Sequence, residues 1–453
     1  MSAARYFLLT VILHSQLSFA QEVPPLGGGN YQPQPSECIS AEKQAEITAI
    51  ADANALYLTS NGSLPVSKSK TTLGSYDWPL LQDTAFHYDC IYGISNYIDR
   101  NASATQISEY NCGQRTYDGH RGTDIFLWPF SINMMERSQV QVIAAAAGTI
   151  VAKNDGEFDH QCAMSATATP NYVTIQHADG YRTLYLHMKT GSVTAKGIGA
   201  TVASGEYLGV VGSSGSSTGP HLHFEVRDIS NNPVDPWTGA CNSGGSYWTS
   251  QKPYYEPQIN VLLTHSMKPG MSSCPLPDTI NGRDTFNPGS TIFFAGYYHD
   301  QQPAQVISYS ILRPDGSSYK TWTHTTTTYF SASWWYWSYT IPSTEPFGKW
   351  KYKAVLQSKT YEHDFYMNDP TGISSPTTDR GAVFPNPAGN TLHFSQSLNN
   401  VDRSRTGMIF NLSGQLIMNV DLPQATTAID ISQLPPGFYL LKANGERYKF
   451  VKL

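Results

Sequence analysis

Polar and apolar residues alternate strictly over His221-Leu222-His223-Phe224-Glu225-Val226. Period two predicts a β-strand with one face on a core. Leu222, Phe224 and Val226 then point inward, and His221, His223 and Glu225 share the other face. Residues 173–177 and 181–187 flank Asp179-Gly180, a tight-hairpin dipeptide. In the second arm the alternation puts Leu184 and Leu186 on the core face and Tyr181, Thr183, Tyr185 and His187 on the other. Residues 140–143 and 148–151 read as successive strands, and residues 41–58 as one helix behind Ser40 as N-cap. Residues 254–261 read as the close of this unit. Residues 278–367 read as a β-sandwich, with strands at 291–298 and 306–312, a Pro314-Asp315-Gly316 turn, and a further strand at 347–352. Pro-, Gly- and Ser-rich stretches at 23–35, 267–277 and 369–380 read as linkers.

Composition narrows the class. A chain of 453 residues exceeds one core and predicts two to four domains. A net charge of −6 supplies no basic footprint, so no nucleic-acid partner is expected. Arg5, the apolar residues 7–13 and Ser18-Phe19-Ala20 read as a secretory signal spanning residues 1–20, with the mature chain beginning at Gln21. The run is too short to cross a bilayer, and no stable membrane insertion is expected. The six cysteines (38, 90, 112, 162, 241 and 274) contain no Cys-x-x-Cys spacing, which favours disulfides over a thiolate metal site. Cys162–Cys241 is the expected bridge near the site.

The candidate chemistry lies in the histidines. His221 and His223 can aim at one atom, and His120 and Asp124 share parity if their segment is extended. Two histidines and a carboxylate with an open fourth position are the ligand set of a catalytic zinc. His160 and His177 read as structural, and Glu225 as either an orienting carboxylate or an ordinary strand residue. The Gly/Ser run 212–219 lacks the Gly-Lys-Ser/Thr ending of a phosphate loop and reads as a place where backbone approaches a cleft. Residues 147–151 with 205–209 resemble the hairpins of biotinyl and lipoyl carrier domains, but His187 and Thr190, flanking Met188-Lys189, do not fit a carrier turn.

Tyr117-Asp118-Gly119-His120-Arg121-Gly122-Thr123-Asp124, then Tyr185-Leu186-His187, then residues 212–223 stand in the order of the lysostaphin-like (LytM-type) zinc metallopeptidases, which this chain resembles over roughly residues 80–240. The resemblance implies one zinc ion on His120, Asp124 and His223, with His187 and His221 as catalytic residues. One of the latter serves as general base and the other as oxyanion donor, the assignment between them staying open. It implies an antiparallel peptidase sheet and hydrolysis of peptidoglycan stems or cross-bridges; with the strand pattern beyond it, the expected fold is mainly β, the peptidase sheet followed by two β-sandwich domains, with a small partly helical N-terminal region. Gly-rich extracellular proteins as substrate, or a non-enzymatic wall-binding or amidase-activating role, are the competing expectations.

Phe384-Pro385-Asn386-Pro387-Ala388, residues 409–414, residues 429–439 and the terminal Lys449-Phe450-Val451-Lys452-Leu453 resemble the sorting domains of type IX secretion. That resemblance implies the type IX machinery as partner and export through periplasm and outer membrane to the surface or beyond. The expected layout is a signal at 1–20, an N-terminal region and potential propeptide at 21–77, the peptidase at 78–262, an accessory sandwich at 278–367 and the sorting domain at 381–453. In Ser333-Trp334-Trp335-Tyr336-Trp337-Ser338-Tyr339, aromatics fall on both strand faces. Either one face contacts sugars or partners, or both faces are buried.

Overall fold

A computed structural model describes residues 21–31, 39–64, 75–103, 105–272, 274–276 and 278–368, and further on 383–394, 405–411, 414–422, 428–443 and 446–453. The expected signal segment at 1–20, Cys38 and the expected linker at 369–380 lie outside the described residues. Two compact units divide the chain, Met1–Asn368 and Asp369–Leu453. Among the described residues, no helix is long and apolar enough to cross a membrane.

The centre of the first unit is a seven-stranded antiparallel sheet. Its order is Tyr92–Asn96, Thr123–Leu127, His221–Arg227, Arg182–Leu186, Tyr172–Gln176, Gly148–Asn154 and Thr201–Val202. The His-Leu-His strand thus lies inside the sheet, paired on both flanks, and all seven of its residues are buried. One face packs Leu222, Phe224, Val226, Tyr185 and Ile175 against Val140, Val142 and Leu208 of a small sheet formed by Tyr207–Val210, Val140–Ile143 and Leu80–Gln82. The histidine-bearing face is also covered.

Part of that cover is the helix. Helix α1 spans Ala41–Ser60, with the Ser40 side chain accepting from the Lys43 amide as its N-cap. It buries Ile47, Ala51, Ala55 and Leu58, one stripe at helical spacing, against Val151, Ala152, Tyr172, Leu184 and Leu186. Burial of the Ile47 and Leu58 side chains stabilises this docking by about 1.5–3 kcal/mol each. Asn54 Nδ2 donates to the Val151 carbonyl at 2.8 Å, and Arg182 pairs with Asp52 at 2.5 Å. His223 is register partner of Leu186, and Glu225 of Leu184, so α1 lies on the same sheet face as His223.

Next comes a β-sandwich. One sheet orders Gly27–Tyr31, Phe330–Thr340, Thr291–Gln301 and Gln258–His265; the other orders Thr285–Phe286, Lys359–Met367, Gly348–Leu356, Val306–Leu312 and Ser318–Thr325. Two assignments change here. Gly27–Tyr31, inside the expected linker at 23–35, is an edge strand of the sandwich, paired with the aromatic strand. Residues 258–265 pair with Thr291–Gln301 in that same sheet, where a close to the preceding unit was expected.

The aromatic strand is covered on both faces. Trp337 lies in the sandwich core beside Tyr309, while Tyr336 packs with Phe126, Trp128, Phe130 and Tyr297 against the central sheet. Tyr31 stacks on Trp128 with ring centroids 4.7 Å apart. A buried ion pair pins the same boundary: Arg115 Nη2 lies 2.8 Å from Asp300 Oδ1, and Arg115 also donates to the carbonyls of Tyr254 and Ile94. Among the described residues the disulfides are Cys112–Cys241 and Cys162–Cys274, not Cys162–Cys241. Cys162 instead staples its loop to the segment between the sandwich strands Gln258–His265 and Thr285–Phe286. Cys90 is a buried free thiol whose pKa burial pushes up to about 12.

The second unit holds a three-stranded sheet (Val383–Phe384, Thr391–Phe394, Ala428–Asp430) and a four-stranded one (Leu416–Leu422, Arg405–Asn411, Gly437–Ala443, Glu446–Lys452). Leu392, Ile409, Ile429, Ile431, Leu434 and Leu441 form its core.

Candidate metal centre

Three strands deliver the site. Asp124 and His223 are register partners on adjacent strands, so their side chains share a face. His120 precedes the Thr123–Leu127 strand and reaches the same point around a bend at Gly122, not along an extended segment as parity suggested. His120 Nε2 lies 3.2 Å from Asp124 Oδ1 and 3.3 Å from His223 Nδ1, and His223 Nδ1 lies 2.9 Å from Asp124 Oδ1. All three residues are buried. Tetrahedral ligands at 2.0–2.1 Å from a zinc ion sit about 3.3 Å apart, so this triangle has the size of one face of such a site.

The protons are already directed. His120 Nδ1 donates to the Tyr97 carbonyl at 2.6 Å, which leaves Nε2 for the cluster. His223 turns Nδ1 inward and Nε2 toward Glu225, 3.7 Å away. With neutral imidazoles protonated on their far nitrogens, three lone pairs converge, an arrangement that a cation among them relieves. Asn96 Nδ2 donates to the other Asp124 oxygen at 3.1 Å. Burial would raise the Asp124 pKa, but His120, His223 and His221 outweigh it and hold the carboxyl well below the usual range.

His187 and His221 stand beside the triangle. Their rings are 4.5 Å apart, and His187 is 6.1 Å from the His223 ring. His187 Nδ1 donates to the Ser214 carbonyl at 2.6 Å and His221 Nδ1 to the Gly219 carbonyl at 2.8 Å. Each therefore keeps its Nε2 as the acceptor nitrogen, and His221 Nε2 is 3.9 Å from Asp124 Oδ1. The expected faces of this hairpin arm are reversed. Leu184 and Leu186 share the His223 face, while Tyr185 pairs with Phe224 on the opposite one. Strict alternation would aim His187 away from the site. It sits just past the strand end at φ 67°, and that left-handed residue breaks the alternation and returns the ring to the histidines.

The remaining candidates separate cleanly. His177 bridges the Ala147 carbonyl and Thr183 Oγ1, with burial lowering its pKa, so it is structural. His160 lies between Glu136 and Asp159, and Glu136 chiefly raises its pKa. Glu225 is fully buried rather than an exposed strand residue. Gly122 carries steric meaning: a Cβ there would fall 2.6 Å from the Phe224 carbonyl and 2.7 Å from His223 Cε1 and Nε2. The Gly/Ser run brings Gly212 against the Met188–Lys189 backbone, where no Cβ fits, and this places the Ser214 carbonyl on His187. Asn96 and the carbonyls of Tyr97, Ser214 and Gly219 escaped sequence reasoning. Backbone acceptors carry no residue signature, and no spacing links Asn96 to Asp124.

Residues 120–236 match peptidase family M23, and residues 382–453 match the secretion system C-terminal sorting domain. The DD-carboxypeptidase/endopeptidase Mpg of Neisseria meningitidis serogroup B is 52% identical over 66 residues, 15% of this chain and 14% of that protein. The peptidoglycan DD-endopeptidase ShyB of Vibrio cholerae is 38% identical over 82 residues, 18% of each. The catalytic domain of the prophage-encoded M23 protein EnpA from Enterococcus faecalis, solved in mutant form, is 24% identical. That match covers 33% of this chain and 92% of the other at a TM-score of 0.19. The chain thus spans under a fifth of the length of these two curated relatives. It carries an M23 peptidase domain and a C-terminal sorting domain.

Proposed function

We propose that this chain is a zinc metalloendopeptidase that hydrolyses peptide bonds in peptidoglycan stems or cross-bridges. The single observation that carries the reading is the triangle of His120 Nε2, Asp124 Oδ1 and His223 Nδ1, sized for a tetrahedral ion, with two further imidazoles beside it. His120, Asp124 and His223 would hold the zinc. A zinc ion so held supplies a nucleophilic water near neutral pH and polarises the scissile carbonyl.

The chain's own residues do the rest. With Nδ1–H committed to a backbone carbonyl, neutral His187 or His221 accepts a proton at Nε2 and later returns it to the leaving amine. The imidazolium formed stays oriented, because the Nδ1–H bond does not change. The other imidazole, once it takes a second proton at Nε2 and becomes an imidazolium, donates to the developing oxyanion. Asn96 holds the Asp124 carboxylate so that one oxygen faces the triangle. Burial of all three triangle residues lowers the local dielectric, which strengthens each of these interactions.

The sorting domain supports a second part of the reading: export through the type IX machinery to the cell surface or medium, so that the wall of other cells is within reach. Deleting residues from Asp379 onward should retain the protein in the periplasm.

The test is digestion of purified sacculi, with released peptides sequenced by mass spectrometry. The wild type is expected to cleave and Asp124→Asn to lose both cleavage and zinc. His187→Ala and His221→Ala are expected to lose cleavage and keep zinc. Undiminished cleavage after complete chelation refutes the reading.

A further inference from the structure

Glu225 lies two residues beyond His223 on the same face and is fully buried. A carboxylate in that position must be compensated, and two guanidiniums do so. Its Oε1 accepts from Arg121 Nε at 3.0 Å and from Arg227 Nε at 2.9 Å, and its Oε2 accepts from Arg227 Nη2 at 3.1 Å. Its other close neighbour is the metal-side imidazole, with Oε2 3.7 Å from His223 Nε2. A carboxylate on that side favours the tautomer with the proton on Nε2 and enriches the Nδ1 lone pair that faces the triangle.

The chain of contacts does not stop at the sheet. Arg227 also donates through Nη1 to Thr48 Oγ1 of α1 at 2.6 Å, and the Thr48 hydroxyl donates onward to the Gln44 carbonyl at 2.7 Å. Arg121 is held on its far side by the Asn231 carbonyl at 3.1 Å. We infer that Glu225 is a positioning residue for the metal, acting through His223, and that α1 supports it through Thr48 and Arg227. The inference rests on the zinc reading above. It makes the helix at Ala41–Ser60, inside the N-terminal region 21–77, a working part of the metal centre.

The experiment measures zinc affinity of the full chain by competition with a chromophoric chelator. Melting of the metal-free proteins, run in parallel, reports on the fold. Glu225→Gln is expected to bind zinc roughly 10–100-fold more weakly. Thr48→Val, which removes only the hydroxyl, is expected to lose roughly threefold or more in the same direction, and Thr48→Ser to restore wild-type affinity. Asp52→Asn cuts a different tie of α1, to Arg182, and is expected to leave zinc affinity unchanged. A folded Glu225→Gln that binds zinc as tightly as wild type overturns the inference. So does an Asp52→Asn loss equal to that of Thr48→Val, since helix docking alone would then explain it. If Glu225→Gln does not fold, the Thr48 pair decides. Absence of zinc binding by the wild type refutes the reading of the site itself; indifferent variants of a zinc-binding wild type refute only the relay.

Discussion

Gly122→Ala isolates the geometry of the triangle without touching a single metal-facing atom. The new Cβ would fall 2.7 Å from two atoms of the His223 ring and 2.6 Å from the Phe224 carbonyl. Ordinary contact begins at 3.4 Å, so the ring and the Gly122 backbone must separate by about 0.7 Å, the difference between 3.4 and 2.7 Å. His223 cannot retreat along the sheet, because its strand is bonded to neighbours on both flanks. A metal site tolerates about 0.2 Å in its ligand distances, so a shift of this size breaks the triangle before it breaks the fold. Overpacking should lower the metal-free stability by about 1–3 kcal/mol. Zinc affinity, read by chelator competition, should fall by about tenfold or more. Gly219→Ala is the control: nothing lies within 4 Å of its added Cβ, although the residue adjoins Pro220-His221. Wild-type zinc affinity in Gly122→Ala would refute the packing argument.

Other outcomes follow from the same structure. Arg115→Met should cost about 3–5 kcal/mol in a denaturant melt, since it strands a buried Asp300; adding Asp300→Asn should recover much of the loss. Burial raises the Asp235 pKa to about 6, above its unfolded value of 3.8, so its ionisation opposes folding. Stability should therefore fall by about 2 kcal/mol as pH rises from 4 to 7, and Asp235→Asn should flatten that profile in thermal melts. Replacing both Cys162 and Cys274 by Ser should lower stability by about 2–5 kcal/mol. Cys90 should resist iodoacetamide until the protein unfolds, as peptide mass spectrometry would show.

Much of the site was legible because it is built on strict local periods. Alternation over residues 221–226 placed His221, His223 and Glu225 on one face, and that is where they lie. Ser40 as N-cap marked the start of α1, whose buried stripe is Ile47, Ala51, Ala55 and Leu58. Parity failed where the backbone leaves the period. The left-handed φ of His187 and the bend at Gly122 depend on tertiary contacts that no spacing encodes. Long-range pairing was equally hidden. Cys162 could have met any of its five fellow cysteines, and the strand Gly27–Tyr31 finds its partner more than three hundred residues away. Tyr336 and Trp334 read as a surface for sugars only while the central sheet that covers them is out of view.

Zinc-edge X-ray absorption on the purified chain probes the central claim most directly. The account predicts a first shell of nitrogen and oxygen donors alone, at about 2.0–2.1 Å, with outer-shell scattering from two imidazoles. His120→Ala and His223→Ala should each reduce or abolish bound zinc, and any zinc that remains should show one imidazole fewer. A sulfur donor near 2.3 Å, or a shell that neither substitution changes, would contradict it.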